Sequence, residues 1–245
     1  MSAWQQNQLA LQKHLKEDSL DDFLRWSTIR KTMYVGTGAE QIPYEYIALR
    51  RDGWHGWFSV VASTGFGADG YKREYDPNLI HQAYHLKQWL DRSGKTIDQL
   101  SSIVEIGAGY GAMCLICRRL GFTGWYYIID LPELVKIQKY YLQQTGVIGK
   151  TLWKPSNVVS STPLDLLIAC HSLSEILLAE RERLLSQMEA NAYLFASSYE
   201  FERVDNETWL REFAASKPGY EWNQYAHPYQ ENALYLVGVK NELAK

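Results

Sequence analysis

One stretch constrains the fold more than any other: Ser102-Ile103-Val104-Glu105-Ile106-Gly107-Ala108-Gly109-Tyr110-Gly111-Ala112-Met113. Ile103, Val104 and Ile106 are β-branched, as a strand buried in a parallel sheet prefers. Gly107, Gly109 and Gly111 then remove every Cβ that would keep a ligand off the backbone. The helix that follows presents unpaired N–H groups toward whatever sits in the turn.

Two ligands suit such a turn. Gly107-x-Gly109-x-x-Ala112 satisfies the dinucleotide fingerprint, and Asp130 lies about 20 residues on, where a ribose acceptor belongs. Glu105-x-Gly107-x-Gly109-x-Gly111, with Ala108 inside the turn, instead resembles the first motif of class I methyltransferases, which bind S-adenosylmethionine. Glu105 separates the two. A carboxylate just ahead of the glycines crowds a pyrophosphate, whereas it suits the ammonium of a methionine moiety. A plain αβ turn remains the third reading, although three alternating glycines after an acidic strand exceed what packing needs.

From residue 96 onward strand and helix alternate, the signature of a parallel sheet with crossover helices. Strands are expected at 102–106, 124–130, 150–153, 164–170 and 192–197. Helices are expected from 110 to about 121, from Pro132 to about 146, over 174–190 and over 206–215. Residues 164–170 are nearly all apolar and so read as a central strand. Two final strands, 220–225 and 233–239, flank a loop with Pro228. Such a closing pair is the usual finish of a class I methyltransferase sheet, not of a dinucleotide dehydrogenase. Residues 1–32 read as helix, interrupted near Asp18-Ser19, and Pro77 opens another that Ser93-Gly94-Lys95 ends. Residues 34–76, rich in glycine and aromatics, keep no helical period and read as short strands or loops. The expected fold is therefore α/β and Rossmann-like: a mostly parallel seven-stranded sheet with a terminal antiparallel strand pair, plus an N-terminal, mainly helical appendage. The expected division is 1–95 as a helical and aromatic cap and substrate region, and 96–245 as the methyltransferase domain.

Three further stretches carry a more specific likeness: Tyr127-Ile128-Ile129-Asp130-Leu131-Pro132-Glu133, Gln138-Lys139-Tyr140-Tyr141-Leu142, and His171-Ser172-Leu173-Ser174-Glu175-Ile176. Together they resemble the sugar O-methyltransferases of bacterial surface-glycan loci, over roughly residues 75 to 240. The resemblance implies methyl transfer from S-adenosylmethionine to a sugar hydroxyl of a glycan or its precursor, without identifying the acceptor. Residues 1–75 match no motif.

The residues themselves agree with that implication. Asp130, at the end of the second strand, can accept from both ribose hydroxyls or cap the next helix. Leu131 would flank the adenine, and Ser156 and Asn157 either bond its amine or form an ordinary turn. His171 ends the fourth strand at the crevice where open α/β sheets bind ligands. An imidazole there can take the acceptor's proton, or simply belong to the cofactor shell. Glu175 can orient that ring, serve as base, or close a capping box with Ser172. His81, Tyr84 and His85 share a helix, with both histidines on one face. They read as a substrate pocket or as packing. A metal is not expected, because no third ligand accompanies the pair. His227, in the terminal loop, carries the same choice. Tyr199, Trp54, Trp57 and Trp222 can stack on sugar rings, but aromatics more often fill cores. Arg181-Glu182-Arg183 reads as a solvated helix face.

Bulk properties exclude several classes. A formal charge of −3 over 245 residues gives no electrostatic case for nucleic acid. Three cysteines point to a reducing compartment without a disulfide framework. Cys114-x-x-Cys117 lies inside a helix with no second pair at zinc spacing, so it reads as apolar packing. No run reaches membrane-spanning length and no signal core opens the chain. The expected protein is soluble and cytoplasmic, and a homodimer is admitted. The rival readings are an NAD-dependent oxidoreductase, a catalytically silent binding subunit, and a methyltransferase acting on a phenolic or lipid-linked acceptor.

Overall fold

The computed structural model describes residues 3–33, 35, 39–51, 56–65, 74–154 and 164–241. The chain divides into two compact units. One comprises Met1–Tyr84, Gly109–Leu120 and Leu131–Gly149, the other His85–Ala108, Gly121–Asp130 and Lys150–Lys245.

The first unit is helical. Helix α1 (Ala3–Glu17) is followed by a 3-10 turn, Leu20–Arg25, capped by the Ser19 side chain, so the chain breaks where Asp18-Ser19 signalled it. Helices α2 (Ser27–Thr32), α3 (Ile42–Arg51), α4 (Trp57–Val60) and the first turns of α5 (Pro77–Ser93) follow. Helix α6 (Ala112–Arg119) and helix α7 (Pro132–Gln144) complete it. Buried Phe23 meets the rings of Tyr110, Tyr140 and Tyr141 edge-on at 5.6, 6.4 and 5.9 Å. Gln8 and Gln12 of α1 donate to the Glu133 carboxylate in the first turn of α7 at 3.2 and 2.7 Å. Arg119, on α6, donates to the carbonyls of Val60 and Ala62 at 2.7 and 2.8 Å.

Helix α3 departs from the sequence reading, which expects strands or loops there. Pro43 sits in its first turn, where the missing N–H costs nothing. Its inward positions are Ile42, Glu45 and Leu49, spaced i, i+3, i+7. A glutamate in the apolar stripe hides the period from a reading that counts only hydrophobic residues.

The second unit carries the sheet. Its strands are β1 (Ser102–Ile106), β2 (Trp125–Ile129), β3 (Thr151–Lys154), β4 (Leu166–Cys170) and β5 (Ala192–Ser198). A two-residue-strand hairpin, β6 (Glu200–Phe201) and β7 (Val204–Asp205), precedes β8 (Tyr220–Ala226) and β9 (Ala233–Lys240). Among the described residues the main sheet has seven strands in the order β3-β2-β1-β4-β5-β9-β8. The first five are mutually parallel, and β9 runs antiparallel to both β5 and β8. This is the expected sheet, with β4 inside it.

Helices α8 (Ser172–Glu175), α9 (Leu178–Ser186) and α10 (Asn206–Ala215) belong to the same unit. Leu184 and Leu185 of α9 and Leu210 of α10 join Val104, Ile106, Leu167, Tyr193, Phe195 and Leu236 in one core. Each such side chain contributes about 1.5–3 kcal/mol on burial. Trp222 lies flat across Gly238, its cross-strand partner, where an added Cβ would meet the ring at 2.2 Å. The indole therefore packs on bare backbone.

Three details differ from expectation. The single helix expected over 174–190 is two, because Ile176 and Leu177 are extended, at ψ 140° and 141°. Arg181, read as solvated, is 1% exposed, and its guanidinium fills that break: it donates to the carbonyls of Ile176 and Ser174 at 2.8 and 2.9 Å. The β6–β7 hairpin was not anticipated, since its turn holds Glu202 and Arg203 at φ 46° and 69° rather than the Asn-Gly such turns favour. No helix among the described residues is long and apolar enough to cross a membrane.

Candidate active site

In the second unit, the carboxyl ends of β1, β2 and β4 converge in register: Ile106 pairs with Ile129 and Glu105 with Ile168. The Gly107 N–H donates to the Ile129 carbonyl at 2.8 Å, so the ladder continues one step past the strand. There φ turns to +70°, and an added Cβ would lie 2.2 Å from Ser172 Cβ. Only glycine fits both conditions. Ser172 in turn donates its hydroxyl to the Ile106 carbonyl, which ties the β4–α8 turn to the end of β1. That bond also decides against the Ser172-x-x-Glu175 capping box. The N-cap of α8 is His171, without a side-chain cap bond.

Glu105 is 3% exposed and accepts a 2.6 Å hydrogen bond from the Tyr126 hydroxyl. Its carboxyl is pushed up to about 8 by burial; the Tyr126 bond opposes that, and the charge of Asp130 adds to it. Asp130, half-buried one residue past β2, is thus within electrostatic reach of Glu105. Burial, with the Glu105 charge behind it, also raises the Cys170 thiol.

His171 holds φ at +64°, a left-handed conformation uncommon for a side chain with a Cβ, and its N–H donates to the Ala196 carbonyl at 2.7 Å. Its ring lies 5.5 Å from that of His85. The Nδ1 of His85, fully buried, is 2.7 Å from the Tyr235 hydroxyl. His227 stacks on Tyr235 at 5.1 Å and accepts from the Tyr229 N–H at 3.1 Å. The structure therefore gathers His171, His227 and Tyr235 around His85. Glu175 sits at the last position of α8. Tyr199 and Trp222 line one cavity of about 400 Å³ together with Glu207, Arg211 and Gln224.

In the first unit, Gly109 and Gly111 have φ +56° and +100°, and Gly111 is the N-cap of α6. Gln138 donates to the Gly109 carbonyl at 2.9 Å. Met33 and Leu142 occupy the sides that a Cβ would face at Gly109 and Gly111, at ordinary contact distance. Asn78, in the first turn of α5, donates to the Tyr110 hydroxyl at 2.5 Å. Leu131 holds the N-cap position of α7 without a side-chain cap bond, with Pro132 at the first position, so Asp130 is not the N-cap residue. His81 places Nδ1 2.9 and 3.0 Å from the two carboxylate oxygens of Glu45. Tyr84 is buried, and so is Trp57, which leaves Trp57 a core residue. Cys114 and Cys117 are free thiols buried within α6. Ser156, Asn157 and Trp54 lie outside the described residues.

Sequence reasoning missed Tyr126, Glu45 and Tyr235. For Tyr126 the signal existed: it pairs with Ile103 in the parallel register, two residues before Glu105 on the same face of the sheet. Glu45 and Tyr235 come from distant segments and have no local signature.

No protein-family model matches the chain, and no curated protein matches it. Among solved structures, it is similar to the methyltransferase domain of bacterial CtHen1-CN, at 12% identity and a TM-score of 0.50, covering 66% of this chain and 99% of that one. It is similar as well to the glycopeptide N-methyltransferase MtfA complexed with sinefungin, at 11% identity and a TM-score of 0.50, covering 65% and 94%. With β1 leading into the glycine turn and the antiparallel β8–β9 pair closing the sheet, the chain has the Rossmann-like fold of methyltransferases.

Proposed function

We propose that this protein is an S-adenosylmethionine-dependent O-methyltransferase acting on a sugar hydroxyl of a glycan or glycan precursor. One observation carries the cofactor: two carboxylates, Glu105 and Asp130, end adjacent parallel strands closely enough to feel each other's charge, directly ahead of a glycine turn. Glu105 suits an ammonium and Asp130 a pair of ribose hydroxyls, with Gly107 and Ala108 giving backbone contact. A pyrophosphate in that place would face two acids. S-adenosylmethionine, when bound, supplies a methyl group on a sulfonium, a leaving group that needs no protonation.

The protein must then align the acceptor oxygen and help remove its proton. Alignment supplies the larger share. His171 is assigned to the acceptor, with Glu175 behind it. Its left-handed backbone is the kind of local strain that functional positions retain. His85 and His227 are assigned to the acceptor pocket. Tyr199, with Arg211 and Glu207 lining the same cavity, offers an aromatic face and polar groups of the kind a sugar ring takes.

Calorimetry tests the cofactor: micromolar binding of S-adenosylhomocysteine and none of NAD is expected, and the reverse overturns it. His171→Ala should lower turnover at least tenfold with S-adenosylhomocysteine affinity nearly unchanged, measured by transfer of labelled methyl to a pool of free and nucleotide-activated sugars. Equal turnover would remove His171 from the reaction.

A further inference from the structure

We propose that Tyr126 is the positioning residue of the cofactor site: its hydroxyl holds the Glu105 carboxylate by one oxygen and so presents the other to the ammonium of an S-adenosyl ligand. This rests on the methyltransferase reading above and deepens it, by naming the side chain that sets the ligand's affinity and its pH dependence.

Every group involved lies in the second unit. Tyr126, on β2, is fully buried, and its hydroxyl donates to Glu105 Oε2 at 2.6 Å. The Phe122 ring meets the phenol edge-on at 6.1 Å. The strand register dictates the direction of approach. Tyr126 stands beside Ile103, and Glu105 beside Ile128, so the hydroxyl reaches the carboxylate from the amino-terminal side of the sheet. Gly107 and Asp130 lie on the other side, past the carboxyl ends of β1 and β2. With Oε2 taken from below, Oε1 is the oxygen left for a cation arriving at the turn.

Packing alone does not require this pair. Phenylalanine fills the same space without a polar atom, and replacing both partners of a buried hydrogen bond by apolar groups is often neutral or better. As the anchor of a cation site the pair makes physical sense. Among the described residues, the titratable groups that face the Glu105 carboxylate are Tyr126 and Asp130 from the β2 side and the Cys170 thiol of β4, which burial keeps protonated. Burial and the charge of Asp130 both disfavour the carboxylate, and the Tyr126 hydrogen bond works against them. That bond is stronger to the ionised form than to the neutral acid. Its loss therefore favours the protonated acid, which attracts an ammonium far less.

The test uses the full chain and calorimetry with two ligands: S-adenosylhomocysteine, and 5′-methylthioadenosine, which keeps the nucleoside and thioether but lacks the amino acid. Tyr126→Phe should bind S-adenosylhomocysteine about tenfold more weakly at pH 6.5, the worth of one hydrogen bond to a charged group. It should bind 5′-methylthioadenosine within about twofold of wild type. The gap for S-adenosylhomocysteine should narrow to about twofold at pH 9, where the carboxylate prevails in both proteins. Equal weakening of the two ligands, or a gap that pH leaves unchanged, makes Tyr126 a packing residue and overturns its positioning role. Unchanged affinity overturns it too. If Tyr126→Phe melts early, Glu105→Gln alone and combined with Tyr126→Phe decides, since neither strands a carboxylate. These two should bind S-adenosylhomocysteine within about twofold of each other, and a difference of about tenfold overturns the role. A wild-type protein that binds no S-adenosylhomocysteine overturns the cofactor reading beneath it.

Discussion

Arg181→Met should lower the melting temperature by about 10 °C and uncouple α8 from the helices that follow it. The guanidinium is buried and makes three hydrogen bonds. Two go to the Ile176 and Ser174 carbonyls and the third, at 2.8 Å, to the side-chain oxygen of Asn206, itself fully buried at the start of α10. The Trp209 ring lies beneath it at 4.9 Å. Methionine keeps the volume and loses all three donors. Each acceptor stranded without water costs about 1–3 kcal/mol. Shared partners make these costs less than additive, so a total of about 3–5 kcal/mol is expected. At about 2–4 °C per kcal/mol for a chain of this size, that is readily seen by calorimetry or circular dichroism. Arg181→Lys should fall between, since one ammonium cannot span three diverging acceptors. A melting temperature within 1–2 °C of wild type, the shift of about half a kcal/mol, would show that water replaces the guanidinium and that the α8–α9 break is self-supporting.

Arg181 also shows why part of the structure was hidden in the sequence. Its charge, beside Glu182 and Arg183, reads as solvent-facing, because local pattern cannot reveal an acceptor set contributed by residues five and seven positions back and by another helix. The α8–α9 break has the same origin: nothing at Ile176 or Leu177 forbids helix, and the side chain that stabilises the break lies further along. Glu45 hid α3 in the same manner, a buried polar residue at a core position erasing the apolar period. By contrast β4 and β5 were legible as nearly continuous apolar runs, the pattern of strands covered on both faces, and β1 and β2 by their β-branched and aromatic residues. Gly107 was legible for a reason the sequence only half contains. Its positive φ follows from the turn, but the clash with Ser172 depends on β4 lying next to β1. The pairing of Glu105 with Tyr126 required the register of β1 on β2, which the strand boundaries alone nearly determine.

Glu105→Gln should weaken S-adenosylhomocysteine binding about 10- to 100-fold at pH 7.5, the worth of one charged hydrogen bond, and should flatten its pH dependence. Burial raises the Glu105 carboxyl from 4.5 to about 8, against the Tyr126 hydrogen bond, with the charge of Asp130 assisting. Between those values the folded protein holds a proton that the unfolded chain has released. The stabilisation is therefore fully present below about 4.5 and is lost as pH rises through about 8. A bound ammonium reverses the preference and favours the carboxylate. Binding at pH 7 should therefore expel a proton, visible as a buffer-dependent calorimetric enthalpy, and affinity should climb by up to about tenfold per unit between pH 6 and 7.5. Above about 8 the ligand's own amino group begins to lose its charge and the gain stops. Glutamine retains an oxygen for the Tyr126 hydroxyl but cannot ionise, so the variant should bind weakly with little pH slope. At pH 9 it should melt above wild type, because it carries no buried charge. These two effects run in opposite directions, which separates a lost cation contact from general damage to the fold. Equal affinity and an equal slope in both proteins would mean that no ammonium meets this carboxylate, and the cofactor assignment would then rest on Asp130 and the glycine turn alone.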